Sequence, residues 1–150
     1  MKKLTKVLAL VLVLATLAFT LVSCSTYSNV KKAFEKEGYT ESTTLEDAAK
    51  KYKEEAEKEN LAVTIHAFTK KSGLSSDIVV VYEFNATDDL KKAFKESETI
   101  KGFVKDVTSN EDVNAVYDAL VNAGYVNGNC FVFSLNPLNM NEVTNIVKKA

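Results

Sequence analysis

Residues 7–22 (VLALVLVLATLAFTLV) form an apolar run interrupted only by Thr16 and Thr20, and no other stretch of this 150-residue chain constrains its fold as strongly. A helix that spans a bilayer needs roughly 20 apolar residues with interfacial anchors, so the run is short for a stable span. It follows the cationic segment MKKLTK, with Lys2, Lys3 and Lys6, and that order of charge and apolarity fits the h-region of a secretory leader. Taking residues 1–23 as a leader changes the composition of what remains. The chain as a whole has a net charge of −1, but three of its 19 cationic residues lie in the leader and none of its 20 acids do. Residues 24–150 therefore carry 16 lysines against 20 acids, a net of −4. They are about 42% apolar, an ordinary globular value, and are long enough for one core but not two. The chain has no arginine, so no side chain offers bidentate recognition of phosphate, and the acidic balance argues against a nucleic-acid partner.

The leader ends in Leu21-Val22-Ser23-Cys24. This segment resembles the lipobox of bacterial lipoprotein precursors, in which an aliphatic residue, a small or aliphatic one and a small one precede an invariant cysteine. The resemblance implies thioether attachment of diacylglycerol to Cys24 and cleavage between Ser23 and Cys24. The mature part is similar in size and character to the many small lipoproteins of bacteria. The implied location is export and anchoring at the outer face of the cell membrane, or the outer membrane where the host has two, since Ser25 rather than Asp follows the lipidated residue. One acyl chain gives only marginal membrane binding, and two or three on one residue hold a protein without a helix. The expected division is a signal peptide over 1–23, lipid attachment and a short tether over 24–28, and one domain over 29–150. A tether of five residues reaches at most ~17 Å, which keeps the domain close to the bilayer.

Within 29–150, Val30, Ala33 and Phe34 make a helical stripe that stops at Gly38. Leu45, Ala49, Tyr52 and Ala56 make a second, with Thr43 or Thr44 and Glu46 as a capping box. The rest of that helix is laced with charge and reads as a solvated face. Leu61, Val63 and Ile65 alternate with polar residues, and 78–84 (IVVVYEF) is rich in β-branched and aromatic side chains. With Gly73 and three serines between them in 70–77, the two read as an antiparallel hairpin. Thr87, Asp88 and Asp89 open a helix through Leu90, Ala93 and Phe94. Ser97 falls on the same side, and Ile100, Phe103, Val104 and Val107 continue the spacing past Gly102, with room for a kink between the two stretches. A capping box over 109–112 precedes the stripe Val113, Val116, Tyr117, Leu120 and Val121, which Gly124 ends. Asn127-Gly128 signals a turn, 130–135 a short buried strand, and Asn139 with Glu142 the cap of a last helix.

The pattern predicts an α+β fold of two layers: an antiparallel sheet of three to four strands, covered on one face by about five helices. The fourth strand is expected near Tyr39 or Tyr125. Similarities among the helix-Gly-Tyr segments have no fixed period, which excludes a solenoid.

No catalytic set emerges. His66 is the single histidine and, once Cys24 is lipidated, Cys130 the single thiol, so the usual zinc sets and an intramolecular disulfide are both excluded. Cys130 lies in the apolar segment CFVF and reads as buried and inert. Ser28-x-x-Lys31, Lys71-Ser72-Gly73 and Ser134-x-Asn136 imitate penicillin-binding motifs in the wrong order and in too short a chain. The acidic pairs Asp88/Asp89 and Glu111/Asp112 fall at helix starts, where the macrodipole favours them. No cofactor or metal is expected. What remains for recognition is His66 and the Asn-rich end of the chain, with Tyr125, Asn127 and Asn129 as weak candidate contacts for an unknown protein or small-molecule ligand. Asn residues are also ordinary turn and cap residues. The reading is a lipid-anchored, non-enzymatic binding or scaffolding module. The competing class is a small cell-envelope hydrolase or a ligand-carrying accessory protein.

Overall fold

A strand as continuously apolar as 78–84 has to be covered on both faces, because successive side chains point to opposite sides of the sheet. The computed structural model, which describes residues 26–42, 47–73 and 75–150, covers it in that way. The expected leader over 1–23, Cys24 and the expected capping residues Thr43, Thr44 and Glu46 lie outside the described residues.

Helix α1 (26–36) leads into strand β1 (Thr40–Glu41), and helix α2 (Asp47–Lys58) into the hairpin of β2 (Val63–Ser72) and β3 (Ser75–Phe84). Three helices follow: α3 (Thr87–Glu96), α4 (Glu98–Val107) and α5 (Val113–Ala123). Strands β4 (Val126–Asn127) and β5 (Cys130–Ser134) and helix α6 (Met140–Lys149) complete the chain. All strand pairs are antiparallel, in the order β1-β2-β3-β5-β4. The fold is thus α+β as expected, but the described residues form five strands and six helices, because both candidate positions for a fourth strand form one. Short edge segments at Tyr39 and Tyr125 gain their partners only when the hairpin and β5 are in place.

The expected two layers become three. Val80, Tyr82, Phe84, Phe131 and Phe133 face one apolar cluster with α3, α4, α5 and Tyr52 of α2. Val79, Val81, Phe68, Cys130 and Val132 face a second, with Val30 and Phe34 of α1 and Val143, Ile146 and Val147 of α6. Helices on one face alone would leave Val79, Val81 and Val132 in water. Each cluster buries several large side chains, and at about 1.5–3 kcal/mol apiece neither face can be left open. Among the described residues, both clusters are built from residues between Tyr27 and Ala150.

Other boundaries move for local reasons. The expected loop over 70–77 is largely taken up by strand, since β2 runs to Ser72 and β3 starts at Ser75, with Gly73 at φ +63°. The long helix through Gly102 is two helices, broken at Ser97. That buried serine accepts a bond from Ile100 N, and its hydroxyl is held by Glu59, which also receives Thr99 N and Oγ1 at 3.1 Å each. Asp112 itself caps α5, accepting from Asn114 N and Ala115 N, in place of the expected box from Ser109. Asn139 makes no side-chain cap; Asn136, one turn earlier, accepts from Leu138 N instead. Gly38 and Gly124 end α1 and α5 as read, and Gly128 (φ +54°) makes the β4–β5 turn.

Candidate functional site

Three neighbouring strands bring together residues that are far apart in sequence. Glu41 of β1 stands opposite Phe68, and Glu83 of β3 opposite Thr64. His66 sits between them on β2, two residues from each of those positions, so the three form a diagonal row on the face covered by α1. Cross-strand diagonals of this kind are within reach of long side chains. Glu41 Oε1 lies 3.1 Å from His66 Nδ1, and Glu83 Oε2 lies 2.8 Å from His66 Nε2.

The first turn of α1 closes over this row. Tyr27 stacks on the imidazole with ring centroids 3.7 Å apart and planes 18° from parallel, and its hydroxyl donates to Glu41. Lys31, one turn on, donates to the other oxygen of Glu41 at 2.6 Å. The side chains of His66, Glu83 and Glu41 keep only 16%, 15% and 25% of their exposure, so the row is mostly shielded from solvent.

The electrostatics follow from that shielding. Burial alone would favour the neutral form of Glu41, but hydrogen bonds from Lys31, Tyr27 and His66 outweigh it and hold the carboxyl below its ordinary value. Burial, and then the bond to Glu41, push the Tyr27 phenol up, which keeps it a donor. The bond to Glu41 likewise raises Lys31.

Chemically the arrangement is a clasp. Both nitrogens of His66 lie within hydrogen-bonding distance of a carboxylate oxygen. The two carboxylates lie on opposite sides of the ring and do not converge on one point. Among the described residues, no group of His, Cys, Asp and Glu is arranged to hold a metal ion.

Of the candidate contact residues, His66 is therefore in the clasp, while the other three lie on the β4–β5 hairpin toward the opposite edge of the sheet. Asn129 is 5% exposed and is bound to β3, its amide donating to Phe84 O while Phe84 N donates to its carbonyl. Asn127 is half-buried and reaches Val147 O, and Tyr125 packs on the first apolar cluster. These are bonds that hold β4 and β5 in place. Sequence reading missed Tyr27, Lys31, Glu41 and Glu83. One signal was available for Glu83, the single charged residue in IVVVYEF: an acid on a strand apolar on both faces needs a buried partner.

Cys130 lies beside Glu83 in the β3–β5 ladder and is fully buried. Burial, and then the Glu83 charge, push its thiol up to about 12. Since the thiolate is the reactive form, native protein at about pH 8 is expected to resist iodoacetamide and to label fully once unfolded in urea. Native labelling within about tenfold of the unfolded rate would contradict this placement.

Among the described residues, grooves outside the clasp include one of 270 Å³ between α1 and α6, one of 340 Å³ among α3, α4 and α5, and one of 480 Å³ where α5, the β4–β5 turn and α6 meet, with Asn127 in its lining. Comparison of the chain with protein-family models, with curated proteins and with solved structures finds no match to any of them.

Proposed function

We propose that this chain is an exported lipoprotein, anchored through lipid on Cys24 at the outer face of the membrane, whose domain is a non-enzymatic binding or scaffolding module. The reading is carried by the position of the lipobox against the first helix. LVSC is followed after one residue by α1, and Tyr27, three residues past Cys24, is already stacked on His66. Residues 26–28, expected as tether, are part of α1, which leaves about one residue between a lipid on Cys24 and the fold. Force or displacement at the anchor is thus passed directly to the sheet through the clasp. Such a join suits a domain that presents a fixed face at a set height above the bilayer.

The non-enzymatic part rests on the way Glu41, His66, Glu83, Tyr27 and Lys31 satisfy one another. A hydrolase using His66 would have to break one of its two carboxylate bonds to free a nitrogen.

The test is Cys24→Ser. The variant should accumulate as a precursor that keeps residues 1–23 and takes up no fatty-acid label, while the parent chain is labelled and shortened. Mass spectrometry of the intact protein reads both properties at once. Equal acylation of the two chains would sink the proposal.

A further inference from the structure

We infer that the α1/α6 layer is a docking face for anionic phospholipid, with the groove between the two helices receiving headgroup phosphates; this rests on the lipoprotein reading above. The first support is how charge is divided between the layers. Residues 24–150 carry a net −4, yet α1 and α6 together hold five lysines (Lys31, Lys32, Lys36, Lys148, Lys149) against two acids, Glu35 and Glu142. The four helices on the other face hold nine lysines against ten acids. An acidic domain has thus placed its basic excess on one side.

The second support is local. Lys32, Lys36 and Lys149 line the α1–α6 groove, with Glu37 as the one acidic side chain there and Ala33 and Ile146 on its walls. All three lysines are exposed, and none has a carboxylate partner among the described residues. The groove on the opposite layer differs in this respect. It too has three lysines, but its Lys101 is paired with Glu98 at 2.6 Å.

The third support is position. α1 is the first described helix after Cys24 in the sequence, and at 1.5 Å per residue Lys32 and Lys36 lie about 9 Å and 15 Å along its axis from Thr26. A lipid on Cys24 would hold this layer, rather than the acidic one, within reach of the headgroups. Near an anionic surface each lysine is worth roughly fivefold in partitioning, an effect that salt screens.

The test uses residues 25–150 without lipid, so it does not depend on acylation. Co-sedimentation compares vesicles of phosphatidylcholine alone with vesicles containing about one-quarter phosphatidylglycerol. The expected result is at least a tenfold preference for the anionic vesicles at low salt, abolished at about 0.5 M salt. Lys32→Gln/Lys36→Gln/Lys149→Gln should lose the preference, and the control Lys95→Gln/Lys101→Gln/Lys105→Gln should keep it. Circular dichroism confirms that both variants are folded. No preference in the parent domain, or an equal loss in the two triple variants, overturns the inference. Acylation that fails while the preference persists would remove the anchor alone; acylation without the preference would remove the docking face alone.

Discussion

Gly124→Ala should destabilise the domain by about 3 kcal/mol, which for a domain of this size lowers the melting temperature by roughly 10 °C. Gly124 ends α5 at φ +88° and ψ 23°, where a side chain is strained. Its own N–H donates to the carbonyls of Leu120 and Val121, and Tyr125 N also turns back to Leu120, so the backbone cannot leave this conformation without losing the helix end. Strain is half of the effect. A Cβ on Gly124 would stand 2.4 Å from the backbone oxygen of Thr144 and 2.9 Å from its Cβ, both in α6. The end of α5 therefore packs against the backbone of a helix on the other face of the sheet, around the β4 edge, and backbone cannot move aside as a flexible side chain would.

Gly102 supplies the control. It sits inside α4, where a methyl group in place of its hydrogen would meet nothing within 4 Å, and Gly102→Ala should stabilise the domain by roughly 0.5–1 kcal/mol. Urea titration of the two variants and the parent reads both signs. A loss below about 1 kcal/mol at Gly124 would mean that α5 and α6 do not meet at this spacing.

Glu41→Gln should cost about 2–3 kcal/mol at neutral pH, and the difference should fade in acid. One carboxylate there receives Lys31, Tyr27 and His66. An amide keeps the size but turns one acceptor into a donor facing donors, and it removes the charge that offsets Lys31. The pH dependence follows from the direction of the shift. The folded-state value for Glu41 lies below its ordinary 4.5. Its ionised form therefore contributes stability above that value, and the contribution is lost as pH falls through the lower, folded value. Parent minus variant should shrink as pH falls below about 4.5. A difference that stays constant down to about pH 3 would show that charge on Glu41 is not what holds α1 to the sheet.

The elements of this fold that are local in origin were readable from the chain. Gly38 and Gly124 stop helices because each takes a left-handed conformation, and Asn127-Gly128 makes the turn it signals. The hairpin was visible in the alternation of Val63 and Ile65 against polar residues and in the β-branched run that follows. What misled was the same run. IVVVYEF identified a strand, but the number of layers depended on whether Val79 and Val81 were covered as well as Val80 and Tyr82. The cover for Val79 and Val81 comes from α1 and α6, at opposite ends of the described chain. Ser97 shows the same limit on a smaller scale. Nothing near it breaks a helix; the break is made with Glu59, 38 positions earlier.

The clasp was unreadable for a related reason. His66 is 25 positions from Glu41 and 17 from Glu83, and no spacing pattern joins residues on three strands until the register of β1, β2 and β3 is known. By itself the sequence determined most of the secondary elements, the turns and the acidic character of the part after residue 23, because these depend on backbone preference and composition. It also supplied the segment LVSC from which export is proposed. Tertiary structure alone decided that the sheet is covered on both sides, that Tyr27 belongs to the fold, and that the lysines of an acidic domain gather on the layer leading from Cys24. Charge is counted along a chain, but its field depends on which residues share a face, and that is settled only when distant helices pack side by side.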